Sequence, residues 1–225
     1  MIKNDIWITE MAQKGMISPF EPSLIRKLQK AESLSRVSGL KLPEVSLSQA
    51  SELSKTDEPV AFVPVISYGL SSYGYDIRLS PAEFRIFRHI PGTVVDPKNF
   101  NSQNLEPTPL HTDINGSYFI LPAHSYGLGV ALEKLEVPNN ITVICIGKST
   151  YARCGIIANL TPAEAAWRGH LTLEFSNSSS ADCRIYANEG VVQLLFLEGE
   201  PCAISYEARQ GKYQDQLEIV TLARV

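Results

Sequence analysis

Short apolar segments separated by turn-forming residues fill the chain from Ile66 almost to its end, and they restrict the fold more than any other feature. The segments run for about 4–8 residues and are rich in Val, Ile, Leu, Tyr and Phe, as strands are. Breaks such as Ser80-Pro81 and Pro91-Gly92 supply the residues that turns need. Many short strands without helices between them predict a mainly β fold, a distorted antiparallel β-barrel or jelly roll. The predicted strands are 76–79, 84–87, 118–121, 126–131, 142–146, 171–177, 184–186 and 191–197.

The N-terminal quarter of the chain has a different pattern. Asn4 can cap a short helix in which Trp7 and Met11 share a face, and Gly15 is placed to end it. Apolar residues at helical spacing predict further helices over 22–38 and over 43–55. The range 21–65 is rich in Ser, Lys and Glu, and we interpret it as an inserted, partly helical arm of a single domain spanning 1–225. A partly disordered linker is the alternative for this range.

Charge and hydropathy patterning exclude several classes of protein. The chain has 20 basic and 24 acidic residues, so no basic excess is available to follow a nucleic-acid backbone. No apolar run approaches the ~18 residues that a membrane helix needs. The first residues, MIKNDIWITEM, lack the apolar core of a secretory signal. We therefore expect a cytoplasmic protein without a nucleic-acid or membrane partner, which suits four cysteines that form no CxxC pair.

Metal and cofactor motifs are absent from the sequence. The four histidines and four cysteines show neither HExxH nor a cluster with metal-ligand spacing, so protein-held zinc or haem is not expected. GxGxxG, GxxxxGK[ST] and GxSxG are also missing. Chemistry would therefore depend on carboxylates, hydroxyls and arginines.

The segment HLTLEFSN (170–177) is the most informative predicted strand. Because side chains alternate across a strand, Leu171, Leu173 and Phe175 face one way, and Thr172 and Glu174 face the other with Ser176. In one interpretation the polar face is simply exposed to water. In the other it lines a closed pocket, where lost hydration raises the pKa of a carboxylate and suits it to proton transfer.

The segment IGKSTYARCG (146–155) places an ammonium, a hydroxyl and a guanidinium within six residues, at Lys148, Ser149 and Arg153. These groups suit a polyphosphate, since Arg offers a planar fork, Lys a point charge and Ser a neutral hydrogen bond. The alternative is an exposed turn that happens to carry two cations.

Two further segments give weaker signals. Residues 67–79 (SYGLSSYGYDIRL) read as a tight turn entering a strand, for which a core or interface role is the simpler interpretation. Residues 205–216 (SYEARQGKYQDQ) carry tyrosines, cations and glutamines that could close over a nucleotide, although polar C-terminal tails are commonly solvated.

Together these segments resemble the dCTP deaminase family of the dUTPase-like superfamily. The resemblance covers residues 1–20 and about 66 to the end, and it rests on six motifs in one order. The motifs are SYGLSSYGYDIRLS (67–80), VVDPKNF (94–100), IGKSTYARCGII (146–157), LTLEFSN (171–177), IYANEGVVQLLF (185–196) and SYEARQGKYQ (205–214).

The resemblance implies hydrolysis of dCTP to dUTP and ammonia without zinc, by a dUTPase-like homotrimer whose active sites lie at subunit interfaces. By position, Glu174 matches the catalytic glutamate, which takes a proton from the water that attacks cytosine C4 and passes protons to N3 and the departing ammonia. Ser149 and Arg153 match residues that assist beside the attacked carbon and the phosphates.

The resemblance also implies a substrate-binding set and a bound cation. Mg²⁺ would arrive with the triphosphate and be held mainly by phosphate oxygens and water, and dTTP would act as an inhibitor. The substrate-binding residues implied are Lys148, Ser149, Thr150, Tyr151, Ala152, Arg153, Thr172, Leu173, Glu174, Gln193, Tyr206, Lys212 and Gln216.

Two departures from the family pattern leave alternatives open. Residues 162–168 read PAEAAWR, with alanines and Arg168 where similar members carry more acidic and proline residues, and the range 21–65 looks longer than usual. The first departure bears on base selectivity, loop order and trimer packing. The altered loop motivates an inactive nucleotide-binding trimer as one alternative hypothesis. The fold shared with dUTPases motivates a bifunctional dCTP deaminase/dUTP diphosphatase as the other.

Overall fold

An N-terminal helix, α1 (Asp5–Gln13), opens the computed structural model, which describes residues 1–29 and 62–225. The Asn4 side chain accepts a hydrogen bond from the Trp7 backbone N–H, which caps the helix start. Gly15, at a φ of +96°, follows the helix end in the left-handed region that glycine adopts most easily. The predicted helix is confirmed. No helix within the described residues is both long enough and apolar enough to span a bilayer.

The described residues contain thirteen strands, and each pair of neighbouring named strands runs antiparallel. A short helix, α2 (Ser149–Ala152), follows β9, and a 3₁₀ turn (Ser102–Asn104) precedes β5. The strands are β1 (Ile17–Ser18), β2 (Ile25–Gln29), β3 (Phe62–Ser71), β4 (Gly74–Phe87), β5 (Leu105–Pro107), β6 (His111–Asp113), β7 (Gly116–Leu121), β8 (Tyr126–Glu136), β9 (Ile141–Gly147), β10 (Ile156–Ala158), β11 (Arg168–Asn177), β12 (Cys183–Tyr186) and β13 (Gly190–Glu198).

The main sheet has the order β10-β11-β8-β4-β13-β9, and it curls until its two ends approach each other. A Cβ placed on Gly147 at the end of β9 would lie 3.2 Å from the Ala158 Cβ of β10, so these edge strands are in contact range. A second sheet, β12-β7-β6, packs on the first through Phe119, which stacks on Phe84 with ring centroids 5.2 Å apart. One apolar core fills the space between. The predicted mainly β, antiparallel fold with a short N-terminal helix is confirmed.

The helix predicted over 22–38 is wrong where the structure describes it. Residues 25–29 form strand β2 instead, and Leu28 pairs with Val63 of β3. The spacing of Leu24 and Leu28 fits a helix face, but the open edge of β3 offers backbone hydrogen bonds that local periodicity does not report. Residues 22–24 are not helical either, while residues 30–38 of that helix and the helix predicted over 43–55 lie outside the described residues. The inserted arm over 21–65 stays a prediction.

The strands predicted separately over 76–79 and 84–87 are one continuous strand, β4. Its pairing with β8 shifts register between Leu79 and Phe84. Ser80 accepts a hydrogen bond on its hydroxyl from the Ala82 N–H, which accommodates the irregularity at Ser80-Pro81. A proline therefore marks a bulge in this strand and does not end it.

A buried ion pair ties β4 to β8 inside the main sheet. The Arg78 Nε donates to Glu133 Oε1 at 2.6 Å, and the Arg78 backbone N–H donates to Glu133 Oε2 at 2.8 Å. The Glu133 side chain is fully buried, and the Arg78 guanidinium also lies 5.0 Å from the Tyr68 ring centroid. Burial raises the pKa of Glu133, and the adjoining guanidinium opposes that rise. Each partner therefore compensates a charge that would otherwise be buried alone.

We expect Glu133→Ala to cost about 3–5 kcal/mol of unfolding free energy, because it leaves Arg78 buried without its counter-ion. Denaturant unfolding measures the change. Glu136→Ala is the matched control, since Glu136 lies on the same strand in an exposed pair with Lys134 and should cost less than about 1 kcal/mol. Similar losses in the two variants would contradict the role given to the buried pair.

Candidate active site

Strand β11 carries the candidate catalytic carboxylate, and its side chains alternate as the sequence predicts. Leu173 and Phe175 have no exposed surface, while Thr172 and Glu174 are half-buried on the opposite face. For this polar face the structure favours the pocket interpretation at Thr172 and Glu174, whereas Ser176 is not among the residues that line the cavity. Thr172 and Glu174 both line a cavity of about 1100 Å³, a size that suits a nucleotide.

The environment of Glu174 favours its protonated form more than water does. Burial raises the pKa of the Glu174 carboxyl. Tyr126 of β8 also lines the cavity, and burial together with the Glu174 charge raises its pKa to about 12. Sequence reasoning missed Tyr126, although it lies on a predicted strand and pairs with Ser176, two residues beyond Glu174.

The cavity has both polar and apolar lining residues. Besides Glu174, its polar lining comes from the loop before β11, from β11 itself and from the C-terminal tail (205–225). The apolar lining residues include Phe87, Val95, Phe100, Leu105 and Leu128. The polar ones include Glu164, Thr172, Tyr206, Lys212 and Gln216.

The C-terminal tail folds back onto the cavity, as its sequence suggests. The Thr172 hydroxyl donates to Gln216 Oε1 at 2.9 Å and accepts from the Thr221 N–H at 3.1 Å. The Trp167 indole N–H donates to the Tyr213 carbonyl at 2.8 Å. Val220 is buried in a small apolar cluster with Leu105 and Leu128. The tail is therefore held at the cavity by apolar burial as well as by polar contacts.

Gly169 lets the tail approach this closely. Its φ is +136°, and the His170 N–H just after it donates to the Gln216 carbonyl at 2.9 Å. A Cβ at Gly169 would lie 2.6 Å from the Gln216 nitrogen, closer than such atoms approach. Only glycine combines this backbone conformation with this contact.

The predicted phosphate loop lies elsewhere. Among the described residues that line the 1100 Å³ cavity, none comes from 148–153 or is Gln193. Ser149 and Arg153 are exposed on and beside α2, where Arg153 Nη1 donates to the Ser149 carbonyl at 3.0 Å. Thr150 lines a separate cavity of about 470 Å³. Ala152 is exposed.

Lys148 is engaged within the chain. Its ammonium forms an ion pair with the buried Asp76 carboxylate and donates to the Ser67 hydroxyl at 3.0 Å. Gln193 pairs with Asp76 across β13 and β4. Burial raises the pKa of Asp76, and Lys148 opposes that rise. The Lys148 charge is therefore compensated inside the chain.

Two predicted site residues have core side chains. Leu173 is fully buried on the inner face of β11. Tyr151 is 4% exposed, and its hydroxyl accepts a hydrogen bond from the Tyr186 N–H at 2.8 Å. Their side chains hold β11 and α2 in place, so only their backbone is available to a ligand.

No cluster of metal-ligating side chains was found in the part of the chain that the structure describes. Within 1–29 and 62–225, no three His, Cys, Asp or Glu side chains converge in a way that could hold a metal ion. The four cysteines are free thiols. The polar groups at the cavity are thus carboxylates, hydroxyls, amides and a lysine.

Comparisons with known proteins agree with one another. Residues 47–199 match a family model described as dCTP deaminase-like. A curated dCTP deaminase of Xylella fastidiosa (strain 9a5c) is 44% identical over 99% of this chain and 98% of that protein. Another, from Acidovorax sp. (strain JS42), is 44% identical over 96% of this chain and 95% of that protein.

A solved structure shares the fold. The crystal structure of 2′-deoxycytidine 5′-triphosphate deaminase from Agrobacterium tumefaciens matches with a TM-score of 0.50 at 13% identity. The match covers 88% of this chain and 48% of that one. At this identity the likeness concerns architecture alone.

We expect Gly169→Ala to release the tail and to cost about 1–3 kcal/mol, because it combines a strained φ with overlap against Gln216. Hydrogen–deuterium exchange of a peptide covering 205–216 should speed up. Gly92→Ala is the control, since Gly92 also has a positive φ (+79°) but has no neighbour within 4 Å of an added Cβ. Unchanged exchange at 205–216 in Gly169→Ala would contradict the contact.

Proposed function

The chain belongs to the dCTP deaminase family, and on that basis we propose that it hydrolyses dCTP to dUTP and ammonia, with Glu174 as the proton-transferring group. The observation that carries the residue assignment is the position of Glu174. It is the half-buried carboxylate on the cavity face of β11, and its pKa is raised by burial.

The reaction needs a group that can both accept and give protons. In our proposal the Glu174 carboxylate accepts a proton from water as the water oxygen bonds to cytosine C4, and the proton passes to N3. Glu174 then moves the proton of the new hydroxyl to the amino group, the C4–N4 bond breaks, and ammonia leaves uracil with its N3–H. A raised pKa suits this role, because it brings loss and gain of the proton closer to neutral pH.

The other cavity residues suit the remainder of a nucleotide. Tyr206 can pack against a flat ring, and Gln216 and Thr172 offer hydrogen-bonding groups beside Glu174. The Lys212 ammonium donates to the Arg224 carbonyl at 2.7 Å, and this exposed contact is one that a phosphate can replace. We expect Mg²⁺ to enter as part of the substrate, bound to its phosphate oxygens.

We further propose a homotrimer in which neighbouring chains complete each site. Ser149 and Arg153 are exposed and lie apart from the Glu174 cavity. Beside them, on β9 and β10, Ile144, Ile146 and Ile157 are 37%, 46% and 54% exposed. A second copy that covers this apolar surface would hide it from water and would carry its own cations and hydroxyls to a neighbouring cavity.

We expect Glu174→Gln to abolish ammonia release from dCTP while nucleotide binding survives, because glutamine keeps the shape of the side chain but cannot accept the proton. Ammonia release and a nucleotide-binding titration followed by thermal stabilisation separate the two effects. Glu136→Gln, an exposed change on β8, is the control and should behave like the wild type. Near-normal turnover of Glu174→Gln would overturn the assignment.

Product separation in the same assay distinguishes the possible reactions. dUTP with ammonia supports the deaminase, dUMP with pyrophosphate adds a diphosphatase step, and stabilisation by dCTP without ammonia favours a binding protein. The last outcome in the wild-type protein would overturn the proposed function.

Mixed trimers test the shared site. Glu174→Gln and Arg153→Ala should each be inactive alone. When the two chains are co-expressed in equal amounts, about a quarter of interfacial sites receive both intact residues, because each site draws its two groups from different chains. Ammonia release should therefore return to roughly that fraction of the wild-type rate. No recovery in verified mixed trimers would place both residues in one chain's site.

A further inference from the structure

Arg168 joins the strand that carries Glu174 to two points of the C-terminal tail. Its Nη1 donates to Glu207 Oε1 at 2.7 Å. Its Nε donates to one Asp215 carboxylate oxygen, and its Nη2 donates to the other at 3.1 Å. The guanidinium thus uses its fork on Asp215 and its remaining edge on Glu207, a geometry that lysine cannot reproduce.

The two carboxylates are placed at the ends of the tail segment that covers the cavity. Glu207 follows Tyr206, and Asp215 precedes Gln216, and both Tyr206 and Gln216 line the cavity. One arginine therefore fixes both ends of segment 206–216, and Lys212 lies between them.

Neighbouring contacts show that this attachment is continuous with the site. The Asp215 N–H donates to the Arg168 carbonyl at 2.9 Å, and the Gln214 side-chain amide donates to the Ala166 carbonyl at 2.9 Å. Four residues beyond Arg168 on the same strand, Thr172 donates to Gln216. Movement of the tail away from Arg168 would therefore also withdraw Gln216 from Thr172.

We propose that Arg168 is a positioning residue, which holds segment 206–216 over the cavity so that Tyr206, Lys212 and Gln216 meet the nucleotide. The inference rests on the proposed function for its kinetic consequence, but the attachment itself does not. Arg168 is absent from the residues that line the cavity, so it acts through the tail and not by touching the substrate.

The exposure of this attachment limits its strength. The side chains of Arg168, Glu207 and Asp215 are 40%, 53% and 58% exposed, and water weakens ion pairs at such exposure. The bidentate contact with Asp215 and the sharing of one guanidinium by two carboxylates make this three-residue cluster stronger than an isolated surface ion pair. Its loss should therefore weaken substrate capture without removing the chemistry.

The first test follows the tail without nucleotide. Arg209 and Lys212 are trypsin sites within the segment, and intact-mass analysis identifies cuts at either one. In Arg168→Glu the three carboxylates repel one another, so we expect cleavage at these sites to accelerate about three- to tenfold. Arg88→Glu is the matched control, because Arg88 forms an exposed pair with Glu106 at 3.0 Å and should leave the rate unchanged.

The second test is kinetic. We expect Arg168→Glu to raise the KM for dCTP about tenfold and to change kcat less than about twofold, since Glu174 keeps its place. The KM of Arg168→Lys should lie between those of the wild type and Arg168→Glu, because lysine keeps the positive charge but lacks the planar guanidinium fork.

Charge exchange separates positioning from general damage to the fold. The triple variant Arg168→Glu, Glu207→Arg, Asp215→Asn restores an opposite-charge pair with Glu207 and removes the repulsion at Asp215. Asn is chosen there because residue 215 has a φ of +57°, which Asn tolerates. We expect the KM and the resistance to cleavage at Arg209 and Lys212 to recover, with cuts after position 207, a trypsin site that this variant adds, counted separately.

The outcomes keep this inference separate from the proposed function. Unchanged cleavage of Arg168→Glu at Arg209 and Lys212, or an equal acceleration in Arg88→Glu, overturns the attachment. Faster cleavage with an unchanged KM overturns the positioning role. A wild-type protein that releases no ammonia would overturn the proposed function, while the cleavage comparison would still report on Arg168.

Discussion

The register of strand β11 is the constraint on which the candidate site depends. Leu173 and Phe175 have no exposed surface, so the strand is fixed against the core on one face. A slip by one residue would turn the Glu174 carboxylate into the core and turn Leu173 and Phe175 out of it. The cost of burying a lone charge and exposing two large apolar side chains therefore holds Glu174 at the cavity.

The C-terminal tail is held to β11 and to the residue before it by side-chain and backbone contacts. Gly169 admits the tail, Trp167 donates to it, and Thr172 meets Gln216 at its far end. The tail returns from the end of β13, and burial of Val220 with Leu105 and Leu128 helps to keep its polar residues at the cavity. Apolar burial anchors the tail, and polar contacts orient it.

Predictions from local pattern succeeded where local pattern decides the structure. Asn4 caps α1, and the two-residue alternation of 171–177 gives both faces of β11, since such features depend on near neighbours in sequence. The pattern failed over 25–29, where pairing with β3 gives a strand. It also gave no sign that Tyr126 lies near Glu174, or that Arg168 meets Glu207 and Asp215, because those partners are 39 or more residues away in sequence.

By itself the sequence determined the fold class, the polar face of β11 and the family resemblance, because alternation and ordered motifs are properties of the chain alone. Only the tertiary structure decided which polar residues meet. It brings Thr172, Glu174, Tyr206, Lys212 and Gln216 to one cavity and leaves Ser149 and Arg153 on another surface. It also pairs Lys148 with Asp76, and it attaches the C-terminal tail to β11 through the ion pair of Arg168 with Asp215. The physical reason is that a curled sheet brings distant segments together through core packing, and spacing along the chain carries no record of that contact.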